Sequence, residues 1–364
     1  MRAPIEDVRV TALTVPTDRP ESDGTLAWDH TGVVVVEIEA AGTTGLGWTY
    51  AGPGAATVLS GTLAAVLDGR DADDVGAAWM AMRRAVRNDG EPGLAACAIS
   101  AADVALWDRF SRARGTALAV ALGAFREAVP VYGSGGFCSY DDATLREQLG
   151  GWAAAGMTMV KMKVGADPAA DPHRVRVARE AIGADVALLV DANGAYDPRA
   201  ALRHAAELDR AAGGLHWLEE PVSSRDRAGL AFVRGHVAPG IAVAAGEYVT
   251  GTEDALALLA AGAVDVLQAD VTRCGGMTGF RAIGALAAAH GIPLSGHCAP
   301  ALHAHAACCV ERIAHVEYFH DHARLEPMLF TGVPEVAGGT LRIAPDRPGH
   351  GLELRPDAVS RFGG

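Results

Sequence analysis

One pattern of hydrophobic and polar positions recurs along the chain from Asp141 onward. A short apolar, β-branched run ends in a polar residue, and a longer stretch rich in Ala and Leu follows it. Short apolar runs of this kind are typical of buried strands, and the longer stretches are typical of helices. For example, MVKMKVG precedes DPHRVRVAREAIG, and VALLVDANG precedes DPRAALRHAAELDRAAG. In the second helix, Asp197 is the expected N-cap and Pro198 the expected first helical residue.

The strand candidates number eight when VPVYGSGG is counted as the first, and they recur about every 20–30 residues. The remaining five segments are HWLEEP, IAVAAGE, VDVLQAD, IPLSGH and HVEYF. Strands that alternate with helices at this spacing predict a parallel α/β sheet, and eight of them favour a closed TIM-type barrel. A doubly wound open sheet is the alternative. It would place a Gly-x-Gly-x-x-Gly motif after its first strand, and none stands there.

The two ends of the chain do not follow this pattern. In residues 1–125, VVVVEIEAAGTTGLGW predicts a hairpin with a Gly-rich turn, and GLAACAISAADVALWDRFSRARG predicts a helix. We therefore expect an α+β capping domain at 1–125, a barrel with the active site at 126–325, and a C-terminal segment at 326–364. That last segment is rich in Pro and Gly and is expected to return to the capping domain.

Composition narrows the possible partners. The 364 residues are 50% hydrophobic and carry a formal net charge of −13, which argues against nucleic acid or an anionic membrane as partner. No apolar stretch reaches the ~18 residues of a membrane span, and the N-terminus does not resemble a signal peptide. The six cysteines lack Cys-x-x-Cys spacing, so reduced thiols in the cytoplasm are expected. A small carboxylate substrate is compatible with the charge, because a local cation can dominate a pocket.

Ionisable residues stand at the ends of seven consecutive predicted strands. In a barrel of this kind the carboxyl ends of the strands surround the active site. A chance distribution of surface charge would not place such residues in register. The residues are Lys161 and Lys163, Asp191, Glu219, Glu247, Asp270, His297 and Glu317.

Three of these residues form a candidate metal site. Asp191, Glu219 and Glu247 follow adjacent strands, and three carboxylates that converge in a cleft repel one another unless a cation lies between them. Oxygen ligands without Cys or His favour Mg²⁺, or alternatively Mn²⁺, over Zn²⁺. The alternative is that each carboxylate forms its own salt bridge with an arginine.

Two further groups could transfer protons. Residues two apart in a strand share a face, so Lys161 and Lys163 lie side by side and each disfavours protonation of the other. Lys163 could then act as a base, unless both side chains extend to the surface. Across the barrel, Asp270 can fix the tautomer of His297 and leave its other nitrogen as acid or base. These groups suit removal of a proton α to a carboxylate, with a protonated Glu317 donating to the enolate.

The same residues fall in motifs that resemble the enolase superfamily, in its mandelate racemase subgroup, over nearly the whole chain. The motifs are Asp-x-Ala-Leu-Trp-Asp at 103–108, Lys161-x-Lys163, Asp191-Ala-Asn193, Glu219-Glu220-Pro221, Gly246-Glu247, Asp270 before Gly275-Gly276-Met277-Thr278, His297 and Glu317. The resemblance implies a modified (β/α)₇β barrel and a homo-oligomer, often octameric.

The resemblance also implies roles for individual residues. Asp191, Glu219 and Glu247 would hold Mg²⁺. Lys163 would be one acid/base and the His297–Asp270 dyad the other. Lys161 and Glu317 would contact the substrate carboxylate or enolate. Asn193 would contact substrate, or alternatively serve as a turn residue.

Several reactions share this first step. Loss of a β-hydroxyl with His297 as acid would dehydrate a sugar acid to a 2-keto-3-deoxy acid. This reaction is favoured because the capping-domain loop expected within Thr17–His30 is polar. Reprotonation would give a racemase or epimerase of a 2-hydroxy acid. Cycloisomerisation is disfavoured, because enzymes of the muconate cycloisomerase subgroup carry a lysine after the sixth strand, on the face where this chain has the dyad. A non-catalytic metal-binding barrel would be expected to lack one of these positions, and all are present.

Several further polar residues lie next to these motifs or after the last strand. Strand alternation predicts that Glu220 points away from the metal, as a neighbour of the ligands or in a core salt bridge. Arg273 stands where mandelate racemase has a lysine, which argues against mandelate chemistry. His320, Asp321 and His322 follow the last strand and could line the pocket or form a plain polar loop.

Overall fold

An antiparallel sheet and five helices form the N-terminal part of the protein, in a computed structural model that describes residues 2–363. The strands are β1 (Ile5–Ser22), β2 (Ala27–Ala40) and β3 (Thr43–Thr49). The helices are α1 (Gly54–Val58), α2 (Ala64–Leu67), α3 (Val75–Ala85), α4 (Leu94–Arg112) and α5 (Leu118–Ala121), with a π-helical turn at Leu59–Leu63. The predicted hairpin is confirmed as β2 and β3. It reverses at Ala41 and Gly42, whose φ angles of 50° and 71° suit a tight two-residue turn.

Helix α4 lies directly on this sheet because two residues of β3 have no side chain. A Cβ atom at Gly45 would overlap the carbonyl oxygen of Ala105, and one at Gly47 would overlap the carbonyl oxygen of Ala101. The absence of Cβ atoms therefore lets the backbones of the helix and the sheet approach closely.

Eight parallel strands form the barrel, and each of the eight segments predicted from the sequence contributes one. They are β4 (Ala128–Gly135), β5 (Met159–Lys163), β6 (Ala187–Asp191), β7 (Trp217–Glu219), β8 (Ala242–Ala245), β9 (Val266–Ala269), β10 (Leu294–Gly296) and β11 (Ile313–Phe319). Strand β11 pairs with β4, which closes the sheet. The predicted α/β fold, a TIM-type barrel of eight parallel strands with an N-terminal α+β capping domain, is confirmed.

A helix follows each barrel strand. The helices are α6 (Asp142–Ala154), α7 (Asp171–Ile182), α8 (Pro198–Ala212), α9 (Arg227–His236), α10 (Thr252–Ala260), α11 (Gly276–Ala289), α12 (Pro300–Ala306), with a 3₁₀ turn at Ala307–Cys309, and α13 (His320–Leu329). Asp197 caps α8 as predicted, since its side chain accepts from the backbone N–H groups of Arg199 and Ala200 at 2.9 Å. Among the helices of residues 2–363, none is long and apolar enough to cross a membrane.

The C-terminal segment contacts both other parts of the molecule. It contains β12 (Phe330–Thr331), β13 (Val336–Ala337), β14 (Thr340–Arg342), β15 (Glu353–Leu354) and α14 (Pro356–Phe362). Strand β14 pairs antiparallel with β4 of the barrel. Single β-bridges join Gly349 to Ala117 and Gly363 to Leu13 in the N-terminal part. The boundaries at 125 and 325 remain predictions, because the segment is tied to both neighbours.

The apolar core is continuous between the cap and the barrel. One cluster of buried side chains includes Leu13 and Val35 of the cap sheet together with barrel residues such as Val190 and Leu267. The buried Trp48 ring stacks on Phe330 of the C-terminal segment, with ring centroids 4.4 Å apart. Burial of this shared apolar surface stabilises the arrangement of cap over barrel.

Candidate active site

The parallel register of three barrel strands brings the predicted metal ligands together. Lys163 of β5 pairs with Asp191 of β6, and Asp191 pairs with Glu219 of β7. Glu247 follows the end of β8. All three carboxylates are buried, and one oxygen from each lies within 4.8 Å of the others. A cluster of oxygen donors of this size fits Mg²⁺.

The electrostatics of these carboxylates also favour a cation. Burial and the charge of Asp191 raise the pKa of Glu219 to about 8, although Lys161 opposes the shift. Burial would raise the pKa of Glu247 too, but His297 and Lys163 outweigh it and hold that pKa well below its usual range. Burial and mutual repulsion both disfavour the ionised form of these carboxylates, and a divalent cation between them would offset both effects.

Both lysines of β5 are buried and face these carboxylates. Lys161 Nζ lies 2.5 Å from Glu219 Oε1 and 2.8 Å from Glu317 Oε1. Lys163 Nζ lies 2.5 Å from Asp191 Oδ2. The lysines therefore do not extend to the surface.

The expectation of a neutral Lys163 is not met by this arrangement. Burial and the charge of Lys161 lower the pKa of Lys163, as predicted, but Asp191 and Glu247 outweigh them and raise it above its usual value. The prediction considered only the two lysines. The neighbouring carboxylates determine the direction in which the pKa of Lys163 shifts. Lys163 is an ammonium group beside Asp191.

His297 and Asp270 form the predicted dyad. His297 Nδ1 lies 2.9 Å from Asp270 Oδ2, and Asp270 Oδ1 accepts from the N–H and hydroxyl groups of Thr272 at 2.7 and 2.8 Å. The other ring nitrogen, Nε2, lies 3.3 Å from Glu247 Oε2. Burial would lower the pKa of His297, but Cys298 and the carboxylate of Glu247 raise it well above its usual value. The imidazole is thus fixed in orientation and holds a proton.

Glu317 accepts hydrogen bonds from several sides. Its Oε1 accepts from the Ser134 hydroxyl at 2.6 Å and faces Lys161, while its Oε2 accepts from the Cys298 N–H at 3.0 Å. Burial would raise the pKa of Glu317, but Lys161 and His297 outweigh it and hold that pKa well below its usual range. The predicted protonated Glu317 is therefore wrong for this arrangement, because these donors stabilise the carboxylate.

Asn193 and Glu220 both have left-handed backbone conformations at the ends of their strands, with φ angles of 45° and 35°. The N–H of Asn193 donates to Asp191 Oδ1 at 2.9 Å, and its buried side-chain Oδ1 makes no hydrogen bond within the described residues. Strand alternation stops at Glu220 because of its φ angle. Burial and the charge of Glu247 raise the pKa of Glu220 well above its usual value. The buried Oε1 atom of Glu220 has no hydrogen-bond partner within residues 2–363.

The tip of the β1–β2 hairpin covers this end of the barrel. Residues 17–30, predicted as a capping loop, instead continue both strands up to a turn at residues 23–26. A Cβ at Gly24 in that turn would overlap the carbonyl oxygens of Val164 and Ala192, which follow β5 and β6. The hairpin also carries Glu21, which is buried and accepts from Trp28 Nε1 at 2.8 Å.

The segment after β11 contacts the cap. His320 Nε2 lies 3.2 Å from both carboxylate oxygens of Asp18, and Asp321 accepts from the Thr31 hydroxyl. The His322 ring stacks on Tyr50 with centroids 3.5 Å apart. These contacts join the cap to the end of the last strand.

Two residues near the dyad were not assigned a role from the sequence. Cys298 Sγ lies 3.4 Å from His297 Nε2 and 3.5 Å from Glu317 Oε2. The sequence contained one indication that Cys298 lies near the dyad, because Cys298 directly follows His297. Arg273, considered only as a departure from mandelate racemase, lies 3.8 Å from Asp270 Oδ2 through its Nε and donates to the Glu247 carbonyl at 3.3 Å.

The chain matches family models along most of its length. Residues 7–123 match the N-terminal domain of the mandelate racemase / muconate lactonizing enzyme family, and residues 144–358 match the enolase C-terminal domain-like family.

Three curated relatives have names that describe reactions of sugar-derived acids. A 3,6-anhydro-α-L-galactonate cycloisomerase of Streptomyces coelicolor is 35% identical over 98% of this chain and 99% of the relative. A D-galactarolactone cycloisomerase of Agrobacterium fabrum is 32% identical over 98% of each chain. An L-talarate/galactarate dehydratase of Salmonella typhimurium is 31% identical over 97% of this chain and 90% of the relative.

Solved structures resemble the whole molecule. A mandelate racemase/muconate lactonizing enzyme-like protein from Rubrobacter xylanophilus has a TM-score of 0.97 at 52% identity, covering 99% of both chains. A racemase from Streptomyces coelicolor with bound magnesium has a TM-score of 0.92 at 32% identity, covering 99% of this chain and 100% of that one. The chain belongs to the mandelate racemase/muconate lactonizing enzyme family of the enolase superfamily.

Proposed function

We propose that this enzyme removes the proton α to a carboxylate in a Mg²⁺-dependent reaction and dehydrates a sugar acid to a 2-keto-3-deoxy acid. One observation carries the proposal. The cluster of Asp191, Glu219 and Glu247 is contacted by Lys163 at Asp191 and by His297 at Glu247. A carboxylate held at this cluster would have a proton-transfer group on each side.

The three carboxylates would hold Mg²⁺, which supplies positive charge to stabilise the enolate oxygens when bound. Lys161 lies between Glu219 and Glu317 and adds a fixed positive charge on the same side. The buried Asn193 side-chain Oδ1 is free to accept from a substrate hydroxyl.

Dehydration assigns different tasks to the two flanking groups. Lys163, once it has released its own proton to solvent, takes the α-proton. The C–O bond at the β-carbon then breaks, and the proton of His297 Nε2 goes to the leaving hydroxyl, which departs as water. The resulting enol converts to the 2-keto-3-deoxy acid. Asp270 holds the imidazole in the orientation for this transfer, through its contact with Nδ1.

A sugar acid is supported by both the site and the relatives. Asp18 and Glu21 of the hairpin and His320 at the start of α13 form a polar cluster at the covered end of the barrel, which suits a polyhydroxy substrate. The talarate/galactarate dehydratase is 31% identical to this chain, and an L-rhamnonate dehydratase of Saccharopolyspora erythraea is 32% identical over 91% of it.

Cycloisomerisation is the second candidate. Two relatives, at 35% and 32% identity, are named as cycloisomerases of an anhydro-galactonate and a galactarolactone. In such a reaction the bond broken or formed at the β-carbon belongs to a ring, so the same first proton transfer would lead to a different product.

Proton NMR in D₂O with Mg²⁺ tests the proposal. The panel contains aldonic and aldaric acids, 3,6-anhydro-galactonate, galactarolactone and simple 2-hydroxy acids. A 2-keto-3-deoxy product establishes dehydration, and a ring-opened or ring-closed product of unchanged mass establishes cycloisomerisation. Exchange of the α-proton with an unchanged skeleton indicates a racemase or epimerase. Absence of exchange across the panel, with Mg²⁺ bound, would contradict the proposal.

A further inference from the structure

We propose that His297, Cys298 and Glu317 form a second metal site, which binds a borderline-soft cation such as Zn²⁺ and is distinct from the carboxylate cluster. The three side chains are buried, and one donor atom from each lies within 4.8 Å of the others. They supply one nitrogen, one sulfur and one oxygen, whereas Asp191, Glu219 and Glu247 supply oxygen alone.

The distances between the donor atoms match a tetrahedral ion. Cys298 Sγ lies 3.4 Å from His297 Nε2 and 3.5 Å from Glu317 Oε2, and Nε2 lies 3.6 Å from that same Oε2. Zinc bonds of about 2.3 Å to sulfur and about 2.0–2.1 Å to nitrogen or oxygen, at tetrahedral angles, place the donors about 3.3–3.6 Å apart. The three ligands thus already have the spacing of three corners of a zinc site.

Two of the three ligands are held in place by a partner on their far side, and the third is positioned by its backbone. Asp270 contacts Nδ1 of His297, and Ser134 donates to the other oxygen of Glu317. Cys298 has a left-handed φ of 52°, and its N–H donates to Glu317 Oε2 at 3.0 Å. A non-glycine residue in that region is strained, and here the strained backbone brings Sγ beside the imidazole. Partners of this kind orient metal ligands and raise affinity.

Sulfur and imidazole select the ion. Thiolate and imidazole ligands favour Zn²⁺ over Mg²⁺, which prefers oxygen, so each cation has its own cluster. Binding would release the Cys298 thiol proton and the His297 Nε2 proton to solvent. The metal would then occupy the nitrogen that donates the proton in dehydration. This consequence for catalysis rests on the proposed function, whereas the binding itself does not.

Metal binding to the Mg²⁺-saturated full chain tests the site without any substrate. Zn²⁺ affinity is measured by competition with a chromogenic chelator, and Co²⁺ serves as the spectroscopic probe. We expect one tight Zn²⁺ per chain in excess Mg²⁺, and a thiolate-to-cobalt charge-transfer absorption band with Co²⁺. In Cys298→Ser the band should disappear and affinity should fall more than about 100-fold, since losing even an orienting partner costs about 10–100-fold.

Cys308→Ser is the matched control, because Cys308 is also buried but lies in a separate apolar cluster. This variant should keep the wild-type Zn²⁺ affinity and the thiolate-to-cobalt absorption band. The proposal is overturned if the wild-type protein shows no thiolate–cobalt band, or if Cys298→Ser retains wild-type Zn²⁺ affinity. The wild-type spectrum decides the question even where the Cys298 variant does not fold.

Discussion

Lys163 and His297 stand on opposite sides of one carboxylate cluster, and each holds a proton for a reason that its neighbours supply. Asp191 stabilises the ammonium of Lys163 at 2.5 Å, and Asp270 stabilises the imidazolium of His297 at 2.9 Å. The sequence predicted both residues and the Asp270 partner of His297, but not the contact between Lys163 and Asp191. The sequence could not predict the protonation states of the two side chains, because the pKa of a buried group depends on every charge within a few ångströms.

Replacing Lys163 with alanine tests its proton-transfer role. We expect Lys163→Ala to slow α-proton exchange by about 10²–10⁴-fold, because a positioned acid/base contributes about that much. Mg²⁺ binding should persist, since all three carboxylates remain. Isothermal titration with Mg²⁺ and NMR exchange in D₂O measure the two effects. Unchanged exchange on a substrate of the wild-type enzyme would remove Lys163 from the mechanism.

Replacing Asp270 with asparagine tests the origin of the raised His297 pKa. That pKa lies above its usual value in the folded protein, partly because of Asp270. The stability that the imidazolium adds is therefore fully present at pH values below the ordinary histidine pKa. It is lost as the pH rises through the raised pKa of His297 in the folded protein. In Asp270→Asn a neutral amide replaces the carboxylate, so this loss should move to lower pH.

NMR titration of the His297 ring measures the shift directly, and the alkaline limb of the pH–rate profile should move with it. A His297 pKa equal to that of the wild type in Asp270→Asn would show that Glu247, Glu317 and Cys298 set it alone.

At the scale of elements, the ends of β6, β7 and β8 determine which carboxylates converge. Glu219 and Glu220 are adjacent in sequence, yet the left-handed φ of Glu220 ends the regular alternation of the strand. The sequence predicted all eight barrel strands because each is a short apolar run with a polar end. Alternation could not place Glu220, because it applies only while the backbone remains extended.

A pair of isosteric substitutions distinguishes the metal ligands from their neighbour. Glu247→Gln should weaken Mg²⁺ binding more than about tenfold, because it removes a charged oxygen ligand. Glu220→Gln should change Mg²⁺ affinity little, since burial and Glu247 favour the neutral form of Glu220 already. Isothermal titration compares the two variants. Equal losses in both would make Glu220 a ligand.

The contact between β3 and α4 gives an element-scale prediction of stability. A methyl group at Gly47 would overlap the Ala101 carbonyl of α4, so Gly47→Ala should lower the free energy of unfolding by about 1–3 kcal/mol. The control is Gly76→Ala in α3, where a Cβ meets nothing within 4 Å. It should raise stability by about 0.5–1 kcal/mol. Urea unfolding measures both, and similar midpoints would contradict the proposed close packing.

At the scale of the whole molecule, Asp108 joins three parts of the chain. Its carboxylate accepts from the N–H of Leu46 in the cap sheet at 2.9 Å, from the N–H of His350 in the C-terminal segment at 2.9 Å, and from Arg112 Nε in α4 at 2.6 Å. The sequence indicated a returning C-terminal segment from its lack of a barrel unit. It could not identify these contacts, which join residues far apart in the chain.

We expect the cap, the barrel and the C-terminal segment to unfold together, because the largest apolar cluster contains buried residues from all three. Asp108→Ala should lower the temperature of a single calorimetric transition, at a cost of about 3–5 kcal/mol for a broken buried pair. Glu353→Ala is the control. It removes an exposed partner of Arg112 and should cost about 1 kcal/mol or less. Two separated transitions would show that the parts are independent.

The tip of the β1–β2 hairpin has a consequence for how tightly the cap can cover the barrel. Gly24 lies so close to the carbonyl groups after β5 and β6 that the hairpin can occupy this place only if that residue has no side chain. Any larger residue in the turn would hold the hairpin away from the ends of these two strands. The smallest residue of the hairpin therefore determines how much open space is left above the carboxylates.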